Sequence, residues 1–251
     1  MLEQESQSVE DVKVAGSNAA AVICRGVVKD FGTGAAQARV LHGIDLEIQC
    51  GQRTFLVGPS GCGKTTLVSL IAGLLTPTSG QVCVLGEDLQ GLSPRALVEF
   101  RSRYVGFVFQ QFNLIPALTV VENAAVPLIV QGVPFSVALK IAGEILIRLG
   151  MGRYLSHSPQ QLSGGQQQRV AIARSLVHDP RILICDEPTA SLDAQSGLAV
   201  MDLLTEIATS PERAVIIVTH DNRIFSYADR TVSLLDGRIE SIRLPGEQMH
   251  S

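Results

Sequence analysis

The sequence predicts an α/β fold: a parallel-sheet core, an antiparallel β layer beside it, and an inserted helical subdomain. Three observations predict it. Thr54 to Gly58, Arg181 to Cys185 and Ala214 to Thr219 are short β-rich runs bounded by Gly, Pro or charge, the pattern of parallel strands covered on both faces. Helical patterns, "KTTLVSLIAGLL" and "SGLAVMDLLTEIA", follow the first two, and strand–helix alternation builds parallel sheets. Two other regions, Val22 to Ile48 and "TVSLLDGRIESIRL", read instead as strands separated by turns.

In chain order, the opening "MLEQESQSVEDVK" is acidic and polar, without the basic start and apolar stretch of a secretory signal. Residues 1–20 are expected to be a disordered tail, and 21–251 one domain. Val22 to Ile48 carries turn residues at Gly32 to Gly34 and supplies the antiparallel layer, with "QVCVLG" as further strand material. From about Asn113 to Leu176 the pattern is helical, punctuated by Pro116, Pro127, Pro134 and Pro159. This predicts a helical subdomain over about 113–176, inserted between the first and second core strands. Near the end, Asp236-Gly237 has the chemistry of a two-residue hairpin turn. The longest apolar candidate, "ALTVVENAAVPLIV", is broken by Glu122, Asn123 and Pro127 and falls short of the ~18 residues a membrane span needs.

Composition narrows the function. With 251 residues, 46% of them hydrophobic, a real core is available. A net charge of −4 argues against a nucleic-acid partner, which would call for a basic face. Aromatics make up 4% and Trp is absent, so base-stacking platforms are not expected. Cys24, Cys50, Cys62, Cys83 and Cys185 form no C-x-x-C pair, which points to a reduced cytosolic protein with neither a disulfide framework nor a zinc site.

The chemistry sits in four places. "GPSGCGKTT", residues Gly58, Pro59, Ser60, Gly61, Cys62, Gly63, Lys64, Thr65 and Thr66, spells G-x-x-x-x-G-K-[ST] between a strand and a helix, the context the motif requires. Backbone N–H groups of such a loop form a nest for phosphate, and the new helix adds its positive end. Lys64 should reach the β- and γ-phosphates. Thr65 should ligate Mg²⁺, and Thr66 should help hold the phosphates. "RILICDEPTASLD" ends an apolar strand in two carboxylates, where open α/β sheets collect ligands. Asp186 suits Mg²⁺, and Glu187 is placed to polarise an attacking water. His220 ends the third strand in "IIVTHD", where a neutral imidazole can bond the γ-phosphate, the water or Glu187. Finally, "LSGGQ" (Leu162 to Gln166) is a second glycine turn opening a helix. The first loop already holds this chain's phosphates, so the second serves a nucleotide held by another copy. Ser163, Gly164, Gly165 and Gln166 would then meet it only when two chains close head to tail.

Together these motifs resemble the nucleotide-binding subunit of ABC transporters over about residues 21–240, and so imply a P-loop NTPase core of the RecA-like kind. The set is Walker A "GPSGCGKT", Walker B "ILICDE", signature "LSGGQ", D-loop Ser191 to Asp193, and switch His220. The resemblance implies that Gln110, in "VGFVFQQ", senses Mg²⁺ and the γ-phosphate, with Gln111 as the register alternative. It implies that Phe31 stacks on adenine where the family usually has Tyr; the other reading of Phe31 is a core aromatic. "VGFVFQQFNLIPALTVVENAAVPLIVQG" and "LSGGQQQRVAIARSLVHDP" resemble the lipoprotein-release and macrolide-efflux group, and "VTHDNRIFSYADRTVSLLDGRI" the heterocyst glycolipid exporter group.

What the resemblance implies is an ATP hydrolase with ATP and Mg²⁺ as cofactors, dimerising around two ATP. It would drive an integral-membrane permease that exports a lipid or hydrophobic compound, with a periplasmic adaptor beyond it. It would sit peripherally on the cytoplasmic face of the cell membrane. Phe112, Asn113, Leu114 and Pro116 would receive a cytoplasmic helix of that permease. The same motif set also serves uptake systems and non-transport ATPases that drive permease-like proteins.

Overall fold

The computed structural model describes residues 20–244. The tail expected over 1–20 therefore lies outside the described residues, apart from Ala20, which opens the first strand. In chain order the elements are β1 (Ala20–Phe31), β2 (Ala38–Gln49), β3 (Arg53–Val57), α1 (Lys64–Ile71), β4 (Ser79–Val84), β5 (Glu87–Asp88), α2 (Pro94–Tyr104) and β6 (Val105–Val108). There follow α3 (Val120–Val130), α4 (Phe135–Arg148), α5 (Gly164–Leu176), β7 (Ile182–Asp186), α6 (Ala194–Ala208), β8 (Ala214–Val218), β9 (Arg230–Leu235) and β10 (Arg238–Arg243).

The strands form two sheets. The first, in the order β2-β1-β4-β5, is antiparallel throughout. The second, in the order β10-β9-β3-β8-β7-β6, is parallel except for its terminal β9–β10 hairpin. This is the α/β architecture with an antiparallel layer that the sequence predicts.

Two features of the core sheet differ from the expectation. β9 does not join the antiparallel layer: it runs parallel beside β3, and β10 closes that edge. The core also has a strand, β6, that comes before the helices α3–α5. It is four residues long and follows directly on α2, so its alternation is too brief to register against the helical pattern before it. A Cβ at Gly106 would overlap the Ser175 carbonyl oxygen; glycine lets α5 lie close against this strand.

Side-chain alternation explains the continuous apolar runs. In β7, Ile182 and Ile184 point to one core while Leu183 and Cys185 point to the other. The first core joins α1 (Leu67, Val68, Ile71) to Ile44, Ile48 and Val82 of the antiparallel sheet. The second joins Phe55 and Ile217 to α3, α4, α5 and α6 through residues such as Leu128, Leu146, Ile172 and Leu204. Each such aliphatic side chain taken from water stabilises the fold by about 1.5–3 kcal/mol.

An ion pair locks the start of β3 to the start of β9. Asp229 accepts from the Arg53 backbone N–H (2.9 Å), Nε (2.9 Å) and Nη2 (2.6 Å), and its own N–H donates to the Arg53 carbonyl (3.0 Å). The Arg53 hydrogen bonds hold the Asp229 carboxyl below its ordinary value of 3.8, against a smaller opposing effect of burial. Asp229→Asn is expected to destabilise by about 1–2 kcal/mol. Because the folded pKa is depressed, that contribution is complete above the unfolded value near 3.8 and disappears as pH falls through the lower folded value. Chemical denaturation of parent and variant from pH 7 down to pH ~3 checks both the gap and its closing.

Candidate nucleotide site

Parallel pairing brings the strand ends to one level. Leu56 of β3 pairs with Val218 of β8, which pairs with Asp186 of β7. The chain then leaves all three strands on the same edge, delivering the first glycine loop, Glu187 and His220 together.

The loop from β3 to α1 is held tightly. Gly58 has φ 146°, and a Cβ there would overlap the Leu234 carbonyl oxygen of β9. Only glycine fits that approach. Lys64 is 6% exposed. Its Nζ donates to the carbonyls of Gly58 and Pro59, each at 2.8 Å, and lies 3.8 Å from Cys62 Sγ. The ammonium thus sits over the loop and fastens its first turn.

The acidic half is built from β7. Asp186 is buried, and Thr65 Oγ1 donates to its Oδ1 at 3.4 Å. Burial pushes the Asp186 carboxyl above its ordinary value, and neighbouring Glu187 adds to this; Thr65 and Lys64 pull it down. A buried carboxylate short of positive charge beside a hydroxyl is a hard-oxygen donor set that fits Mg²⁺. Glu187 takes φ 51° while its N–H continues the ladder to the Val218 carbonyl (2.9 Å). Its Oε1 lies 2.7 Å from His220 Nδ1. Its Oε2 is buried with no hydrogen-bond partner among the described residues, an orphaned acceptor of the kind a bound water satisfies.

A cavity of about 230 Å³ joins these groups, lined by Ser60, Gly61, Gly63, Lys64, Thr65, Thr66, Gln110, Glu187 and His220 together with Val40 of β2. Gln110 lines it and Gln111 does not. Gly58, Pro59, Cys62 and Asp186 stand outside its lining. Phe31 ends β1, is 40% exposed, and has Lys29 Nζ 5.1 Å from its ring centroid. It is a surface ring, which excludes the reading as a core aromatic.

The second glycine loop lies elsewhere. Ser163 caps α5: its Oγ accepts from the Gln166 N–H (3.4 Å) while Gln166 Oε1 accepts from the Ser163 N–H (2.9 Å). This reciprocal capping box gives the Ser and the Gln of the motif a local reason. Ser163, Gly165 and Gln166 line a separate cavity of about 350 Å³ with Arg153, Arg169, Gln195 and Ser196. The two cavities share no lining residue. Gly164 lies under Leu192 and Phe112, whose nearest atoms would be 3.5 and 3.7 Å from a Cβ at that position.

Three supporting groups escaped the sequence reading. Arg174 of α5 donates to the carbonyls of Asn113 (2.6 Å) and Phe112 (2.8 Å), pinning the segment just after Gln110. Asn123, fully buried, accepts from the Ile115 N–H (2.7 Å) and donates to the carbonyls of Ile115, Leu118 and Thr119. Thr189 Oγ1 donates to Asp221 Oδ2 at 3.4 Å, tying the turn after Glu187 to the residue after His220. Only Asn123 carries a local signal, a polar residue followed by a run of apolar ones in its helix.

Comparison with known proteins shows the family. A family model described as ABC transporter matches residues 41–190, more than half of the chain. The lipoprotein-releasing system ATP-binding protein LolD of Pseudomonas fluorescens is 40% identical over 226 residues, covering 90% of this chain and 100% of the relative. An uncharacterized ABC transporter ATP-binding protein of Methanocaldococcus jannaschii is 42% identical, covering 87% and 97%. Among solved structures, a dimeric ATP-binding cassette in a post-hydrolysis state bound to ADP and Pi superposes with TM-score 0.82 at 37% identity, covering 89% of this chain and 98% of that one.

The Arg174 contacts lead to a test. Arg174→Met keeps the aliphatic stem and removes both charged hydrogen bonds. It is expected to cost about 2 kcal/mol and to speed amide exchange over residues 110–116, read by mass spectrometry. Unchanged exchange there would remove Arg174 from the support of Gln110.

Proposed function

The chain belongs to the ABC transporter ATP-binding family and is an ATP hydrolase, and we propose that two copies close head to tail around two ATP to drive an exporting permease. The observation that carries this is the separation of the two glycine loops. Each opens a helix and presents N–H groups suited to an anion, yet they line different cavities with no residue in common. A second copy supplies the missing half of each site.

In this reading the first loop and Lys64 bind the phosphates, with Thr66 beside them. Phe31 offers its exposed ring to the adenine. Thr65 and Asp186 hold Mg²⁺, with Gln110 completing the set; when bound, the ion neutralises charge on the β- and γ-phosphate oxygens. Glu187 orients the attacking water through Oε2 and accepts its proton. His220, held through Nδ1 by Glu187, keeps the other ring nitrogen for the γ-phosphate. The partner's second loop, Ser163 to Gln166, closes over that phosphate. Thr189 and Asp221 keep the turns bearing Glu187 and His220 in mutual register. The roles are positional and electrostatic, as phosphoryl transfer requires.

The cargo side of the proposal draws on relatives named as lipoprotein-releasing ATP-binding proteins, and is export of a lipid or hydrophobic compound. Among the described residues no helix is long and apolar enough to cross a membrane, and in this reading a permease supplies the transport path. The protein then works from the cytoplasmic face of the cell membrane. Asn113, Pro116 and Ile115 are exposed just beyond Gln110, with Phe112 and Leu114 partly buried beneath. This segment is where a cytoplasmic helix of the permease would feel the γ-phosphate.

Glu187→Gln should bind ATP, lose about 10²–10⁴-fold in turnover and accumulate as a nucleotide-bound dimer on size-exclusion chromatography. Normal turnover would remove Glu187 as the base. Lys64→Ala should weaken ATP binding by at least about tenfold, read by titration with a fluorescent ATP analogue. Tagging Glu187→Gln in its native cell, trapping it with ATP and identifying co-purified membrane proteins tests the partner. A four-span permease with a large periplasmic domain is expected, and its co-purified adaptor identifies any third component. An uptake permease with a binding protein reverses the direction, and no membrane partner overturns the transport reading.

A further inference from the structure

The phosphate loop is fastened from outside by the far end of the chain. The turn between β9 and β10 is Asp236-Gly237, with φ 44° and 70°, the two left-handed residues of a type I′ turn. The Gly237 N–H donates to the Cys62 carbonyl at 3.1 Å, across 175 residues of sequence. The Gly237 carbonyl accepts from the His42 N–H at 2.9 Å, and Arg238 Nη1 donates to the His42 carbonyl at 3.1 Å. A Cβ at Gly237 would overlap the Val40 carbonyl oxygen and come within 2.8 Å of His42 Cδ2. Val40 itself lines the nucleotide cavity.

The consequence follows from the peptide plane. In a trans peptide the C=O and N–H point in opposite directions. The Cys62 carbonyl and the Gly63 N–H belong to one such plane. Anchoring Cys62 O outward on the hairpin turns the Gly63 N–H inward, toward the cavity that Gly63 lines. Gly58, at the other end of the loop, abuts the Leu234 carbonyl of the same hairpin. Both ends of the loop thus register on β9–β10.

We propose that the Asp236-Gly237 turn is a positioning element for the nucleotide: through the Cys62 carbonyl it aims the Gly63 N–H at the phosphates, and Gly237 is the residue that permits it. Gly237 touches no substrate and acts through the loop. Preorganisation of this kind lowers the cost of binding rather than the chemical barrier, so its loss separates affinity from turnover.

The test is Gly237→Ala. The left-handed φ and the Val40 overlap push the turn away from Cys62. ATP affinity and KM are expected to worsen by at least about tenfold, while kcat at saturating ATP stays within about threefold. A folded variant with parental ATP affinity overturns the proposal, as does one that loses kcat with KM unchanged. Should the variant fail to fold, amide exchange on the native chain decides. Saturating ATP should slow exchange in the 234–238 segment by at least about tenfold, although no residue there lines the nucleotide cavity. An exchange rate indifferent to ATP overturns the inference. Lys64→Ala, weakened in ATP binding for a different reason, should show less slowing in that segment than the parent at an ATP concentration that fills the parent but not the variant.

Discussion

The parallel register of β3, β8 and β7 is the constraint on which the candidate nucleotide cavity depends. Leu56, Val218 and Asp186 stand level across the sheet. The first glycine loop, His220 and the carboxylates of Asp186 and Glu187 therefore emerge close to one another. A shift of one residue in any of these strands would turn every side chain to the opposite face. It would exchange the two hydrophobic cores and send Asp186 to the side where Cys185 now packs. The two cores enforce the register because each strand is buried on both faces. On the other side of β3, the Arg53–Asp229 pair fixes its alignment with β9 at the opposite end of the strand.

Two glycine loops with similar local chemistry have different surroundings, and that difference matches different tasks. The first is braced by distant parts of the chain: Leu234 behind Gly58, Gly237 behind Cys62, and Lys64 folded onto the Gly58 and Pro59 carbonyls. The second is braced by itself, through the Ser163–Gln166 capping box at the head of α5. A loop that must hold a nucleotide gains when the sheet fixes its shape in advance. A loop carried on one helix keeps its shape wherever the helix goes. Arg174, in the last turn of that helix, grips the segment beyond Gln110, so α5 mechanically joins the second loop to the side chain facing the first cavity.

Much of this was legible in the sequence. β3, β7 and β8 stand out because doubly buried strands leave uninterrupted apolar runs, and the glycine motifs stand out because their spacing is local. Asp236-Gly237 was legible as a turn, since turn chemistry needs only two residues. Its contact with Cys62 was not, because nothing in residues 236–237 encodes where the hairpin lands. β6 was hidden for a related reason: four residues following a helix carry too few alternations to define a period. Arg174 looks like any arginine on an amphipathic helix, and its carbonyl partners 61 and 62 residues away appear only once α5 is packed. Local patterns marked the groups that line the cavity, while the long-range contacts around them required the fold.

The head-to-tail reading also has a symmetry argument behind it. A chain bearing one donor loop and one acceptor site at different places can associate in a ring or in an open chain. Two copies related by a twofold axis satisfy both sites at once and leave none open, so assembly stops at the dimer. Each nucleotide then lies between unlike surfaces, although the interface as a whole is self-complementary. Association in that geometry is linked to ATP by mass action: whatever binds the closed pair and not the separate chains stabilises it in proportion to the logarithm of its concentration. Hydrolysis and product release remove that linkage. On the proposed reading the chain would run a cycle of closing and opening without any large change inside its own doubly covered core sheet, and the segment beyond Gln110 would pass that motion to the permease.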